Sequence, residues 1–317
     1  MATRRTFLKK TSLAALAVSF PSVAIHASTD SSKSKLISEP KISLAQWSLH
    51  KALEKGEMKG IDFISIAKNT YGINAVEYVN QFYLEHVADE KFWNQMRSTA
   101  DSEAVDSLLI MVDNEGELGN ANNAARHKAV ENHYKWINAA KLLGCHSIRV
   151  NAFGKGNLET LKSSLVDGLG KLTAYGEKEG INVLIENHGL HTSDGAFITG
   201  IIKEVNNPYL GTLPDFGNWC LNKEWGSTQN NKCNFTYDRY KGVGEFLPYA
   251  KGVSAKSYDF DAEGNETIMD YPRLLQMVKN SNFDGHIGIE YEGERLSEHE
   301  GIIATKMLIE KVWNGLD

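Results

Sequence analysis

The amino-acid sequence predicts a single-domain α/β protein with the fold of a (β/α)₈ TIM barrel. From residue 42 onward, short apolar runs alternate with longer amphipathic segments, as parallel strands covered by helices do. Glycine recurs where a predicted helix gives way to a strand, at Gly72, Gly144 and Gly180. Eight such units in roughly 270 residues match the size of a closed eight-stranded barrel.

Each strand is predicted from a short apolar run. In chain order the runs are Ile42–Trp47, Ala75–Tyr78, Ser107–Val112, Ser147–Val150, Val183–Ile185, Gly211–Leu213, Gly252–Ala255 and His286–Ile289. Helical periodicity is clearest at Ala121–Leu143, Leu158–Glu179, Tyr271–Asn280 and Ile302–Trp313. The alternative is an open doubly wound sheet. It is disfavoured because the first strand is followed by Gln46–His50 rather than by a glycine-rich phosphate turn.

The first 27 residues are interpreted as an export signal that is removed from the mature protein. Thr3–Lys9 resembles a twin-arginine signal, with Arg4 and Arg5 as the arginine pair, and an apolar stretch from Leu13 to Phe20 follows. Because that stretch is too short to span a bilayer as a helix, we expect no integral membrane segment in the mature protein. The signal predicts a periplasmic protein.

Residues 28–40 are rich in serine and lysine and are predicted to form a flexible lead-in, which leaves residues 41–317 for the barrel. The net charge is −6 at neutral pH, and loss of the four basic residues of the signal would make it −10. An acidic protein repels a polyanion, and no later basic run is interleaved with aromatic residues. We therefore expect no nucleic-acid partner.

The sequence contains three cysteines. Cys145 begins an apolar strand pattern and is predicted to be a buried, small hydrophobic residue. Cys220 and Cys233 lie in one long loop and could pair in an oxidising compartment. The sequence leaves their pairing open, because it does not give the distance between them.

The predicted strand ends carry most of the ionisable and amide side chains that could do chemistry, and in a barrel these ends face the active site. In chain order they are Glu77, Asp113, Arg149, Asn151, Glu186, Asn187, His188, Asp215, Asn218, Lys256, Asp259, Glu290 and Glu292. Carboxylates next to apolar strand residues are unfavourable unless they are paired or bound to a cation. A divalent ion relieves the repulsion between carboxylates that converge on one axis, so the pattern indicates a metal-type acidic site.

Three of these strand ends resemble a known family. Leu184–His188, Pro214–Asn218 and Ile289–Gly293 are similar to segments of xylose isomerase-like barrels, the sugar phosphate isomerases and epimerases, and the resemblance covers about residues 42–313. The resemblance implies one divalent metal ion (Mn, Mg, Zn or Co). It places the ligands at three carboxylates and at one position on the seventh strand, which are Glu186, Asp215, Ser254 and Glu290.

Ser254 departs from the family pattern, which has histidine at this position and lysine two residues later. The lysine is kept as Lys256, but a neutral serine is a poor metal ligand. His188 could supply an imidazole instead, water could fill the position, or the site could hold no metal.

The resemblance also implies catalysis by proton transfer next to a carbonyl group, with Glu186 and Glu290 as the acid/base pair. The expected substrate contacts are His188, Asn218, Lys256, Trp47, Asn151 and Asp113. As an alternative, Glu186 and Glu290 could be structural carboxylates paired to Arg149 or Lys256, and Asp215 could cap a helix. Epimerisation, aldose–ketose isomerisation and β-elimination all pass through the same enolate, so the motif does not separate them.

The loops after the seventh and eighth predicted strands, Tyr258–Gly264 and Glu292–Leu296, are acidic and would repel a phosphate group. We therefore expect an exported carbohydrate isomerase or epimerase whose small-molecule substrate is an unphosphorylated sugar. One alternative is a 3-keto-glycoside lyase or hydrolase that acts through the same enolate. Another is a non-catalytic carbohydrate-binding barrel, which Ser254 motivates.

An abasic-site endonuclease shares this fold but is disfavoured. That activity usually needs three metals and several further histidines, and the chain lacks both this histidine set and a basic face. The sequence leaves the sugar, the metal and the oligomeric state open.

Overall fold

The computed structural model describes residues 39–229 and 233–316. The predicted export signal over residues 1–27 and most of the predicted lead-in over 28–40 lie outside the described residues, so both stay predictions. Within the described residues, no helix is both long and apolar enough to cross a membrane.

Eight parallel strands form the barrel and confirm the predicted fold class. They are β1 Ile42–Ala45, β2 Ala75–Val79, β3 Asp106–Val112, β4 Ser147–Val150, β5 Asn182–Glu186, β6 Leu210–Leu213, β7 Val253–Ser257 and β8 Ile287–Tyr291. The hydrogen-bonded order runs from β6 through β1 to β8 and β7. The remaining seam, between β6 and β7, is bridged by Thr212 with Ala250 and by Asp215 with Ser254. Ser254 also exchanges backbone hydrogen bonds with Pro214 and Phe216, at 2.9 and 3.0 Å, so the seam is closed beside the candidate site.

Helices cover the outside of the barrel. They are α1 His50–Glu54, α2 Phe63–Tyr71, α3 Glu90–Glu103, α4 Asn123–Leu143, α5 Leu158–Glu179, α6 Gly195–Val205, α7 Arg239–Phe246, α8 Tyr271–Asn280 and α9 Glu298–Gly315. The glycines that predicted helix ends are left-handed caps, with φ of 63° at Gly72, 89° at Gly144 and 77° at Gly180. Glycine takes this conformation without a steric penalty, which explains why it recurs there.

The carboxyl ends of β1, β7 and β8 differ from the predicted ones. The first strand was predicted to reach Trp47 but ends at Ala45, because the chain turns into a short 3-10 helix at Gln46. The Gln46 side chain accepts a hydrogen bond from the backbone N–H of Val79, at 2.9 Å, and so ties this turn to β2. At the same end of the barrel, β7 and β8 run two residues further than predicted, and Lys256 pairs in register with Glu290.

Strand alternation divides the barrel into two apolar layers. Residues that point outward, such as Ile185 and Ala255, pack under the helices in the main core. A small inner cluster fills the barrel interior, made of Ala45, Val79, Leu109, Met111, Leu184 and Leu213. Because successive side chains on a strand point to opposite faces, Glu186 shares the inner face with Leu184, and Asp215 follows Leu213 in the same way. The interior is therefore apolar below and polar at the carboxyl ends of the strands.

Candidate active site

Three carboxylates meet at the carboxyl ends of neighbouring strands. Glu186 is the last residue of β5, Asp215 follows β6, and Glu290 lies on β8. One carboxylate oxygen of each lies within 4.8 Å of the others, and all three side chains are buried. Burial raises the pKa of Glu186 well above its ordinary value; Arg149 opposes this rise, and Glu290 and Asp215 add to it. Burial also raises the pKa of Asp215, to about 6.

Asp215 is held by neighbours on both of its oxygens. Its Oδ1 accepts hydrogen bonds from the backbone N–H groups of Gly217 and Asn218, both at 2.7 Å. Its Oδ2 accepts one from the Ser254 hydroxyl at 2.6 Å, and the same hydroxyl lies 3.1 Å from Glu290 Oε2. Asp215 therefore organises the turn after β6, as the helix-cap alternative anticipated in part, and it also belongs to the carboxylate group.

Lys256 is a buried cation inside this group. Its Nζ lies 2.9 Å from Glu292 Oε2, 3.1 Å from Glu290 Oε1 and 3.9 Å from Asp215 Oδ2. It also donates to Asn218 Oδ1 at 3.1 Å. Burial alone would lower the pKa of Lys256, but the surrounding carboxylates raise it well above its ordinary value, so the side chain stays charged.

Arg149 supplies the second buried cation, on β4. Its Nη1 lies 2.6 Å from Asp113 Oδ1, and its Nε lies 2.8 Å from Glu186 Oε2. Neither Arg149 Nε nor Glu186 Oε2 has a hydrogen-bond partner of suitable geometry. The contact between them is therefore an ion pair without a hydrogen bond. Burial would raise the pKa of Asp113, but the Arg149 charge lowers it below its usual range. Both pairings that the structural alternative required, Arg149 with Glu186 and Lys256 with Glu290, are therefore present.

His188 is fixed in one neutral tautomer. Asn151 donates its amide N–H to Asp113 at 2.6 Å, which turns its Oδ1 toward His188 Nδ1 at 2.7 Å. Nδ1 must therefore carry the proton, and Nε2 carries a lone pair. Burial and the Arg149 charge lower the pKa of His188 to about 3, so the ring is neutral at ordinary pH. Its Nδ1 lies 3.9 Å from Glu186, and His188 does not join the three-carboxylate group.

Glu77 on β2 lies beside the group and is fully buried. Its Oε1 accepts a hydrogen bond from Ser43 at 2.6 Å, whereas its Oε2 has no hydrogen-bond partner. Burial raises the pKa of Glu77 to about 7, and the Ser43 hydrogen bond opposes the rise. A Cβ at Gly288 would lie 2.6 Å from Glu77 Oε1, so the glycine leaves room for this carboxyl. At neutral pH Glu77 is therefore poised between its charged and uncharged forms.

A cavity of about 350 Å³ opens over these groups, and we call it the site cavity. Its wall includes Trp47, Asp113, Arg149, His188, Trp225, Glu290 and Glu292. Glu290 is thus the member of the carboxylate group that forms part of the wall. Glu186 and Asp215, at 1% and 0% exposed, lie behind it.

The other predicted substrate contacts divide in the same way. Trp47, Asp113 and His188 line the site cavity, whereas Asn218 and Lys256 lie behind its wall. Asn151 positions His188 rather than facing this cavity. Their roles as substrate contacts stay predictions.

Two wall residues, Glu292 and Trp225, were given no role in the site from the sequence, although Glu292 was named among the strand-end side chains. Glu292 accepts the Trp47 indole N–H at 2.5 Å, and the two-residue spacing from Glu290 is a signal for its inward direction. Glu77 has a similar signal, since it alternates with the inward Val79. No sequence signal identifies Trp225, because it lies in an irregular loop. The same loop contains the Cys220–Cys233 disulfide that the sequence left open.

The arrangement fits a divalent cation. Six carboxylates surround two cationic side chains in the described part of the barrel interior; they are Glu77, Asp113, Glu186, Asp215, Glu290 and Glu292. The Ser254 hydroxyl lies close to Asp215 Oδ2 and to Glu290 Oε2, but its single proton can be donated to only one of them. The other close oxygen–oxygen contact is unfavourable unless a carboxyl group is protonated or a cation is bound. The available donors are all oxygen atoms, which suit Mg²⁺ or Mn²⁺ better than softer ions.

Comparison with known proteins begins with a protein family. The family described as "Xylose isomerase-like TIM barrel" matches residues 66–311. A segment of 54 residues is 33% identical to the C-glycoside deglycosidase alpha subunit of Arthrobacter globiformis. That segment is 17% of this chain and 15% of the relative, so the match spans a small part of both proteins.

Solved structures resemble the barrel over most of its length. The IOLI protein with a binding zinc atom is 14% identical, with a TM-score of 0.65, over 87% of this chain and 99% of that one. The 3-keto-D-glucoside 4-epimerase YcjR from E. coli is 13% identical, with a TM-score of 0.60, over 85% and 99%. At this level of identity the likeness shows the fold.

Proposed function

The chain belongs to the xylose isomerase-like TIM barrel family, and we propose that it is a metal-assisted carbohydrate isomerase or epimerase. It would remove a proton next to a carbonyl group of an unphosphorylated sugar. The observation that carries the proposal is the convergence of Glu186, Asp215 and Glu290 within 4.8 Å, with Glu290 on the wall of the site cavity. Sugar epimerases are among the structures that share this fold.

Glu290 would exchange a proton with a bound sugar; its position in the cavity wall, which the other two carboxylates of the group lack, supports this role. Lys256 Nζ, at 3.1 Å from Glu290 Oε1, holds this carboxylate in position at the wall. Glu186 is assigned as its partner for the opposite proton transfer. Glu186 lies behind the wall, so a bound sugar does not reach it directly. Its role requires either that the substrate partly displaces the Arg149 side chain or that a neighbouring group passes the proton between Glu186 and the sugar.

Glu186, Asp215 and Glu290 would hold the metal ion, with the Ser254 hydroxyl at the position of the usual histidine. When bound, a divalent ion supplies Lewis-acid stabilisation for the negative charge that develops on a substrate carbonyl oxygen. The neutral His188, with a lone pair on Nε2, is suited to accept a hydrogen bond from a sugar hydroxyl.

The electrostatics of the site cavity disfavour a phosphorylated substrate. Its wall contains Asp113, Glu290 and Glu292, and Arg149 is the one cationic side chain among the described residues of the wall. Arg149 is already paired to Asp113 and Glu186, at 2.6 and 2.8 Å. A phosphate dianion would therefore meet more negative than positive charge, which supports a neutral sugar as substrate.

Solvent deuterium exchange tests the proposed function. Purified protein is loaded with Mn²⁺ in D₂O and incubated with free ketoses and 3-keto sugars, and the hydrogen next to the carbonyl is followed by NMR. We expect exchange at that carbon with wild-type protein and a rate at least about 10²-fold lower with Glu290→Gln. Metal-loaded wild-type protein that exchanges no C–H hydrogen on any sugar would contradict the proposal and favour a non-catalytic carbohydrate-binding barrel.

A 3-keto-glycoside lyase or hydrolase is the second candidate. Two observations favour it, the 33% identical segment of a C-glycoside deglycosidase subunit and a second cavity that adjoins the site cavity. The same proton removal would then expel a β-leaving group. Release of the aglycone from a 3-keto-glycoside, rather than a change of configuration or carbonyl position, distinguishes this reaction.

We also propose export to the periplasm through the twin-arginine route. The Arg4-Arg5 pair motivates this proposal, and the Cys220–Cys233 disulfide supports it, because such bonds persist in oxidising compartments. Replacement of Arg4 and Arg5 by lysine should retain the protein in the cytoplasm, as judged by cell fractionation against the unchanged chain. Equal export of both forms would reject the route.

A further inference from the structure

Trp225 is an aromatic side chain held in an unfavourable backbone conformation at the mouth of the barrel. Its φ is 66°, in the left-handed region that bulky residues rarely adopt, and its side chain is 41% exposed. Such strain persists only where the surroundings enforce it, and it concentrates at ligand-binding positions. The exposed ring is therefore a candidate contact for a ligand.

The loop around Trp225 is fixed at several points. The Cys220–Cys233 disulfide closes it, and Gly189 forms a β-bridge with Glu224. Backbone hydrogen bonds join Leu190 N to Lys223 O at 3.1 Å and Cys220 N to Gly226 O at 3.0 Å. These contacts hold Trp225 in one place relative to the segment that follows β5.

The indole ring of Trp225 stands nearly perpendicular to two neighbouring rings. Its centroid lies 5.0 Å from that of His188, at an interplanar angle of 78°. It lies 6.0 Å from the ring of Phe153, at 86°. Neither ring is stacked parallel on the indole, and Trp225 is 41% exposed, so the indole keeps accessible surface for contact with a ligand ring.

Trp225 forms part of the wall of two cavities. The first is the site cavity of about 350 Å³. The second, which we call the outer cavity, measures about 310 Å³, and its wall includes Asn114, Glu117, Phe153 and Trp225. Asn114 and Trp225 belong to both walls. Each cavity is near the lower end of the range for ligand pockets, about 300–1,000 Å³, so each suits a single ring.

We propose that Trp225 is the shared aromatic wall between a sugar subsite, the site cavity, and an aglycone subsite, the outer cavity. The substrate would then be a glycoside with a ring-shaped aglycone rather than a free monosaccharide. This inference rests on the proposed function and narrows its substrate class. It is compatible with epimerisation of a keto-glycoside and with elimination of its aglycone.

Binding of matched glycosides to the full-length protein tests the proposal without any need for turnover. Methyl and phenyl β-D-glycopyranosides of glucose, galactose and mannose are titrated by calorimetry. They differ only in the aglycone, so the ratio of their affinities reports the outer cavity. We expect the phenyl glycoside of at least one sugar to bind about 3–10-fold more tightly than its methyl counterpart, the range expected for one aromatic contact.

Three variants separate a ligand-binding role of Trp225 from a structural one. Trp225→Ala should bring the phenyl-to-methyl affinity ratio to about one, and Trp225→Phe should keep most of it. Trp225→Gly should also abolish the ratio while leaving the Tm equal to or above that of wild type, because glycine adopts a φ of 66° freely. A structural role predicts a lower Tm instead.

Phe235→Ala is the matched control, since Phe235 is a 63% exposed aromatic residue of the same loop that lines neither cavity. It should leave the affinity ratio unchanged. The double variant Cys220→Ser/Cys233→Ser should lower the ratio, because the loop loses the bond that closes it.

The proposal is overturned if no phenyl glycoside binds more tightly than its methyl counterpart, or if Trp225→Ala leaves the ratio unchanged. Either outcome leaves the proposed function standing when deuterium exchange still occurs on a keto sugar. Conversely, discrimination between the glycosides without any C–H exchange would retain the Trp225 assignment and reject the proposed chemistry.

Discussion

The Ser254 hydroxyl lies 2.6 Å from Asp215 Oδ2, at the seam where the barrel closes between β6 and β7. The family pattern has an imidazole at this position. Here a short hydroxyl bridges toward Glu290 as well, at 3.1 Å, and the donor set contains only oxygen. This single difference should change which metal ion the site prefers.

The first prediction concerns that preference. Wild-type protein should bind Mn²⁺ or Mg²⁺ in preference to Zn²⁺ relative to a Ser254→His variant, because imidazole nitrogen is a better ligand for zinc than hydroxyl oxygen is. We expect Ser254→His to raise zinc affinity by about 10–100-fold or more, the effect typical of changes around a metal site. Equilibrium dialysis with elemental analysis measures it.

Ser254→Ala serves as the control, since it removes the hydroxyl without adding a nitrogen. Its zinc affinity should not exceed that of wild type. Equal zinc binding by the histidine and alanine variants would mean that position 254 is not a ligand position in this chain.

The second prediction concerns the acid/base pair. Glu186→Gln and Glu290→Gln keep the size of each side chain but remove its proton acceptor, so each should lower the rate of C–H exchange by about 10²–10⁴-fold. Glu294→Gln, an exposed change four residues after Glu290, is the control and should leave the rate within about twofold of wild type. Near wild-type exchange by either site variant would remove its glutamate from the acid/base pair.

The third prediction concerns Glu77 and pH. Burial raises the pKa of Glu77 from 4.5 to about 7, so the folded chain holds this proton more tightly than the unfolded chain. The resulting stabilisation is fully present below about pH 4.5 and is lost as the pH rises through about 7. Glu77→Gln has no such proton to lose.

Relative to wild type, the free energy of unfolding of Glu77→Gln should therefore increase between pH 5 and pH 8, by on the order of 3 kcal/mol. Urea denaturation in EDTA measures the difference without interference from metal binding. A difference between the two proteins that stays constant with pH would show that Glu77 titrates normally.

The fourth prediction concerns Arg149, which neutralises Asp113 and Glu186 at 2.6 and 2.8 Å. Arg149→Met leaves two buried carboxylates without their cation, so it should lower the free energy of unfolding by about 3–5 kcal/mol. The double variant Arg149→Met/Asp113→Asn should recover part of the loss, because one of the stranded charges is gone. Urea denaturation of both single variants and the double variant gives the coupling free energy between Arg149 and Asp113. Strictly additive changes in the free energy of unfolding would contradict this prediction.

The sequence determined the barrel because local physics determined its elements. The helix α5 begins and ends at the predicted Leu158 and Glu179, since Asn157 caps one end and the left-handed Gly180 caps the other. Such caps and hydrophobic periods depend on residues close together in the chain. The order of the strands then follows from the repeated strand–helix unit. Because the carboxyl ends of the strands face one mouth of the barrel, the polar residues at that mouth could be predicted from the sequence.

Tertiary structure alone decided how those polar residues share their charge. Glu186 meets Arg149 from β4, and Glu290 meets Lys256 from β7, across sequence separations that no local pattern encodes. Which of two equivalent-looking glutamates forms part of the cavity wall was also undetermined, because burial depends on what packs in front of each side chain. The place of Trp225 depended on a disulfide within its own loop and on a β-bridge from Glu224 to Gly189 in the segment after β5. The sequence thus specified the fold and the residue types of the site, whereas ion pairing, exposure and the shape of the cavities arose only when distant segments met.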